Sequence, residues 1–183
     1  MESYLISVIK QFEYYKSLGD KTFNQLTFEE MQWQSNEASN SISVISKHIV
    51  GNMLSRWTNF LTEDGEKSWR HREAEFEDTY ASKEDVIASW ESAWLCLFST
   101  LKSLKEEDLE RIIYIRNEGH TVTEAINRQL AHYPYHIGQM VFLGKLLKDA
   151  QWQSLSIPKG NSTKYNEEKF NKEKGRRHFT DDL

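Results

Sequence analysis

Two histidines four residues apart, His132 and His136, stand in the run Gln129-Leu130-Ala131-His132-Tyr133-Pro134-Tyr135-His136-Ile137-Gly138-Gln139. On a helix that spacing stacks both imidazoles on one face, which is half of a metal site. A third imidazole would complete a set able to hold a divalent ion while leaving coordination positions for water or a substrate donor atom. His48 lies in the only other strongly amphipathic segment that carries a histidine. Three neutral imidazoles suit zinc, nickel or ferrous iron. An ordinary reading stands beside this one: a histidine on an amphipathic helix is more often a hydrogen-bonded core or boundary residue, and an isolated His-x3-His recurs by chance. Asn52, one turn after His48, and Gln129, nearly one turn before His132, could orient ligands, although ordinary interhelical hydrogen bonds are the favoured reading for both. His71 and His120 fall in expected loops and His178 in a polar tail, so all three read as solvated surface residues.

The candidate ligands need elements to carry them. Tyr4, Leu5, Val8, Ile9, Phe12 and Tyr15 recur at three- and four-residue steps, and Gly19 marks the expected end of a first helix. Thr27-Phe28-Glu29-Glu30 has the spacing of a capping box for a brief helical turn. Asn40 or Ser41 then caps a second long helix with Ile42, Ile45, Ile49, Met53, Trp57 and Phe60 on one face and His48 at its edge. From Thr62 to Ser82 periodicity gives way to charge, which predicts a long connection, a lid or simple packing, with Trp69 and Phe76 tucked against the core. Ser82 with Asp85 caps a third helix carrying Val86, Trp90, Ala93, Trp94, Leu97, Leu101 and Leu104. Leu109, Arg111, Ile113 and Ile115 alternate before the turn-like Asn117-Glu118-Gly119, a pattern for a short extended segment or a small hairpin turning at those last residues.

Thr121 with Glu124 opens the fourth helix, whose apolar positions run from Val122 to Leu147 and place the histidine pair mid-helix. Pro134 between them removes one backbone donor and crowds the Leu130 carbonyl, at roughly 3 kcal/mol, so a local kink or an interrupted helix is expected there. Trp152, Leu155, Ile157 and Pro158 read as an extended strap, and residues 159–183 as a polar, loosely attached tail after a domain spanning 1–158. Four long amphipathic segments predict an all-α fold, an antiparallel four-helix bundle with a short hairpin before the fourth helix.

Composition narrows the chemistry. A chain of 183 residues with 38% hydrophobic and 13% aromatic side chains can fill one core despite a mean hydropathy of -0.70. The net charge of -5 argues against general nucleic-acid affinity, which needs a clustered basic surface. A single cysteine, Cys96, cannot form an internal disulfide and reads as a buried apolar side chain among Trp94, Leu95, Leu97 and Phe98. With no leader-like segment and no run of membrane-spanning length, a soluble cytoplasmic protein is expected.

Ser41-Ile42 leading to His48, together with His132-Tyr133-Pro134-Tyr135-His136-Ile137-Gly138-Gln139, resembles the DinB/YfiT-like superfamily of four-helix metalloproteins over about the first 150 residues. The closing Ser154-Leu155-Ser156-Ile157-Pro158-Lys159-Gly160 looks like the end of an uncharacterised DinB-like branch. The resemblance implies a divalent metal on His48, His132 and His136. It further implies a small-molecule substrate, a homodimer, and a thiol S-transferase activity in which the metal activates a low-molecular-weight thiol such as bacillithiol. Metal-dependent hydrolysis, with Glu124 as a weak general-base candidate, and a noncatalytic stress-associated binding module are the alternatives. Trp90 and Trp94 would serve either a dimer surface or the core.

Overall fold

The computed structural model describes residues 2–181, Glu2 by its backbone alone. It is mostly helical, with one small antiparallel sheet. In chain order the elements are α1 (Glu2–Gln25), α2 (Phe28–Gln32), α3 (Ile42–Trp57), α4 (Lys83–Ser103), β1 (Ile112–Ile115), β2 (Glu118–Thr121), α5 (Val122–Lys148) and α6 (Ser162–Phe170). Their starts follow from side-chain caps. Ser41 and Ser82 each accept a hydrogen bond from the third residue of the following helix, and Thr27 and Thr121 form full capping boxes with Glu30 and Glu124. Each such cap is worth about 1 kcal/mol.

The long helices α1, α3, α4 and α5 pack so that α3 lies against α4 and α5, and α1 against α5 and α4. Each contributes one large aromatic ring to the centre of the core: Phe12, Trp57, Trp94 and Tyr133, all at most 1% exposed. Phe12 meets the other three at centroid distances of 6.3, 6.2 and 5.9 Å. A polar relay threads this apolar centre, as Trp57 Nε1 donates to the Tyr133 hydroxyl at 3.0 Å and that hydroxyl donates to Asn52 Oδ1 at 3.1 Å. The phenol can thus be buried completely without leaving a polar atom unpaired. Trp90 and Trp94 are both core.

Several expectations are corrected. Gly19 does not end α1, which continues to Gln25; a Cβ there would lie 2.6 Å from Trp90, so the glycine lets α1 and α4 approach closely. The hairpin exists, but it turns at Arg116 and Asn117, both with positive φ, one residue earlier than expected, and Ile112 pairs with Thr121 through Ile115 with Glu118. Gly119 lies within β2, facing Tyr114. Pro134 does not interrupt α5. Trp69 is 51% exposed rather than tucked in. Cys96 is half-buried, its sulfur 3.7 Å from Thr58 Oγ1. Of the strap, Trp152 packs over Gly144 and Thr22 where α1 and α5 meet, while Ile157 stays exposed. The polar tail contains α6, and its end meets α1 through Ser7 with His178 at 3.1 Å and the Lys10–Asp181 ion pair.

The connection between α3 and α4 is tied down along its length. Ser55 Oγ donates to the Gly65 carbonyl at 2.7 Å, and Gly65 N donates to the Tyr114 carbonyl at 2.8 Å. Asp64 accepts from the Arg116 and Asn117 amides in the hairpin turn, each at 2.8 Å. Farther along, Lys47 Nζ donates to the Ala74 and Glu77 carbonyls at 2.6 and 2.8 Å, and Ser43 donates to Asp78 at 2.9 Å. No described helix is long and apolar enough to cross a membrane.

Candidate metal centre

His48, seven residues into α3, is buried, and His132 and His136 on α5 are half-buried. One ring nitrogen from each lies within 4.8 Å of the other two. The ring centroids are 5.5 Å apart for His48 and His132, 4.9 Å for His48 and His136, and 4.7 Å for His132 and His136. Residues 84 positions apart in the chain therefore converge where α3 crosses α5.

Which nitrogen faces inward is decided by what holds the other. His48 Nδ1 donates to Glu75 Oε2 at 2.9 Å, His132 Nδ1 to Gln129 Oε1 at 3.3 Å, and His136 Nδ1 to Gln139 Oε1 at 3.1 Å. Carboxylate and amide oxygens only accept, so each Nδ1 carries a proton, and in the neutral tautomer that this fixes the lone pair is on Nε2. The Nε2 atoms of His132 and His136 face each other at 3.1 Å. Two lone pairs cannot hydrogen-bond each other, whereas two nitrogens roughly 2.0–2.1 Å from a shared ion lie about 3 Å apart when they meet near a right angle. The donor set fits a divalent metal.

The surroundings keep His132 and His136 neutral. Burial, reinforced by His136, His48, Arg56 and Arg70, pushes the His132 pKa down to about 3. Burial also lowers His136, with His48 adding to it and the Gln139 hydrogen bond opposing it. Glu75 goes the other way in charge: burial alone would raise its pKa, but hydrogen bonds from His48 and Arg70 outweigh that and hold it ionised below the usual carboxylate range. Arg70 grips it with two bonds, Nε to Oε1 at 2.7 Å and a terminal nitrogen to Oε2 at 2.9 Å.

Glu75 reaches His48 because of two features of its neighbourhood. It sits in a single 3-10 turn, Glu73–Phe76, in the connection, with Phe76 stacked on the His48 ring at 5.2 Å. Gly51, one turn after His48, leaves the space that its carboxylate occupies, since a Cβ there would lie 2.3 Å from Glu75 Oε1.

The structure thus brings together the three histidines named from the sequence. Gln129 is corrected from an ordinary interhelical residue to a direct partner of His132, while Asn52 does bond between helices, to Tyr133. Glu124 closes the α5 capping box through the Thr121 amide at 2.7 Å and is spent there. His71 is exposed, but His120 lies in β2, half-buried, with Nε2 lacking a partner, and His178 bonds Ser7. Glu75 and Gln139 were missed, and Phe76, expected against the core, is 37% exposed and lies on the His48 ring instead. For Gln139 a signal existed: glutamines stand three residues outside each histidine of the pair, one turn away on either side.

A family model described as "Protein of unknown function (DUF1572)" matches residues 1–161. No curated protein and no solved structure matches the chain.

Proposed function

We propose that this chain, which belongs to the DUF1572 family, is a DinB/YfiT-like four-helix protein that holds a divalent metal on His48, His132 and His136 and transfers a small thiol to an electrophile. The observation that carries the metal reading is the set of three oxygen acceptors on the three Nδ1 atoms, in a cluster where one ring nitrogen of each histidine lies within 4.8 Å of the other two. When bound, a divalent ion supplies a Lewis acid that favours the thiolate form of a coordinated thiol near neutral pH. The residues of the chain do the rest. Glu75 and the two glutamines fix the imidazole orientations, and Arg70 keeps the Glu75 carboxylate ionised and in place. In the transfer the thiol proton leaves to solvent, the sulfur pair forms the bond to carbon, and the leaving group departs with the electrons of its own bond. Cys96 belongs to no part of the histidine cluster.

Hydrolysis has less support. It needs a base free to take a proton from water, and Glu124 is engaged as a cap while Glu75 is held by His48 and Arg70. Elemental analysis of the purified protein, before and after reconstitution with zinc or nickel, tests the metal. About one equivalent is expected in the wild type, with weakened binding in His48→Ala, His132→Ala and His136→Ala. Folded wild type that binds none would end the metal reading. Turnover that proceeds equally well with water and without thiol would end the transferase reading.

A further inference from the structure

Beside the histidines the chain builds a pocket of about 260 Å³ whose wall includes five arginines, Arg56, Arg70, Arg72, Arg116 and Arg128. Their carboxylate partners are too few. Glu66 Oε2 alone accepts from Arg56, Arg70 and Arg116 at 3.1, 3.4 and 3.1 Å, Glu75 accepts from Arg70, and exposed Glu73 pairs with Arg72 at 3.3 Å. Among the described residues, three carboxylates therefore pair with five guanidiniums, and Asp64 adds a fourth that acts on Arg56 through charge alone, so positive charge is left over. Arg128 makes no hydrogen bond or ion pair among the described residues, and it is exposed at the pocket rim on α5, one turn before His132. Deep in the wall, Arg56 is only 6% exposed, yet its Nε has no partner. A buried donor left unpaired is costly, and a cluster of guanidiniums repels itself unless an anion neutralises it. This concentration stands out in a chain whose net charge is -5.

We infer that this pocket receives the anionic end of a small ligand, a phosphate group or a pair of carboxylates, placed beside the metal centre. The arginine fork geometry suits both groups through paired N–H bonds. A volume just under the roughly 300–1,000 Å³ of ordinary small-molecule sites fits a compact headgroup, with the rest of the ligand directed toward His48 and His132. The inference deepens the proposed function and rests on it only for the meaning of that direction; the anion site itself is made of arginines.

Titration calorimetry of the full chain tests it with two probes, inorganic phosphate and succinate. The protein is stripped on a chelating resin, because dissolved chelators are polycarboxylates and would compete. Saturable 1:1 binding of at least one probe is expected, weakened about tenfold in Arg128→Gln and unchanged in Lys102→Gln, a control that removes one positive charge from the end of α4. Arg128 has no hydrogen-bond or ion-pair partner among the described residues, so its loss leaves the fold intact, which circular dichroism checks. Binding of phosphate alone or of succinate alone names the headgroup. No saturable binding of either probe, or equal weakening in both variants, overturns the inference. Titration of the same stripped preparations with zinc or nickel separates the two readings: anion binding without metal uptake would sink only the metal centre, and the reverse only the anion site.

Discussion

His132 is an imidazole that the fold holds without a proton. Its ordinary value in an unfolded chain is about 6.5, and in the folded, metal-free protein burial brings it to about 3. Between those limits the unfolded chain binds a proton that the native state refuses, so stability is complete above about pH 6.5 and falls as pH drops toward 3. His136 is lowered for the same reason and adds to the loss, and Glu75, also lowered, contributes only below the ordinary carboxylate range. The melting temperature of metal-free protein is therefore expected to decline between pH 6.5 and 5, and less steeply in His132→Gln. An identical slope in both would show that the buried imidazole is not the source.

At the scale of elements, α3 carries both a candidate ligand, His48, and the gap that lets its partner in. Gly51 in a helix interior costs about 0.8–1.0 kcal/mol relative to alanine by propensity alone. Gly51→Ala should nevertheless lower metal affinity, by roughly 10- to 100-fold, because the new methyl displaces the Glu75 carboxylate from His48 Nδ1. Melting curves and metal titration of the same variant check both halves, and unchanged affinity would mean that Glu75 finds another route to His48. The helices were legible in the sequence because their signals are local: a capping serine or threonine, then apolar residues at helical steps. Gly19 and Gly51 look alike as helix interruptions, yet each serves a neighbour brought close by tertiary packing, Trp90 in one case and Glu75 in the other, and no local pattern reveals that. The three histidines could be named because two share a helix face and the third stands alone on another. Glu75 could not, because it is one of many charges in an aperiodic connection and only the fold selects it.

Across the whole molecule, the site draws on four separate pieces of chain: α3, the connection, the hairpin turn and α5. The chain is acidic in balance, and the arginine wall is a local exception felt within about 8 Å at physiological salt. Part of the rim of that wall is formed by the connection, which is anchored to α3 by Ser55 and Lys47 and to the hairpin by Gly65 and Asp64. Such anchoring has a kinetic consequence. A rim already fastened in the empty protein presents no gate, so in stopped-flow mixing the observed rate of anion capture should climb in direct proportion to anion concentration. A rate that levels off would instead reveal an opening step, and with it a connection that lets go of the hairpin before anything can enter.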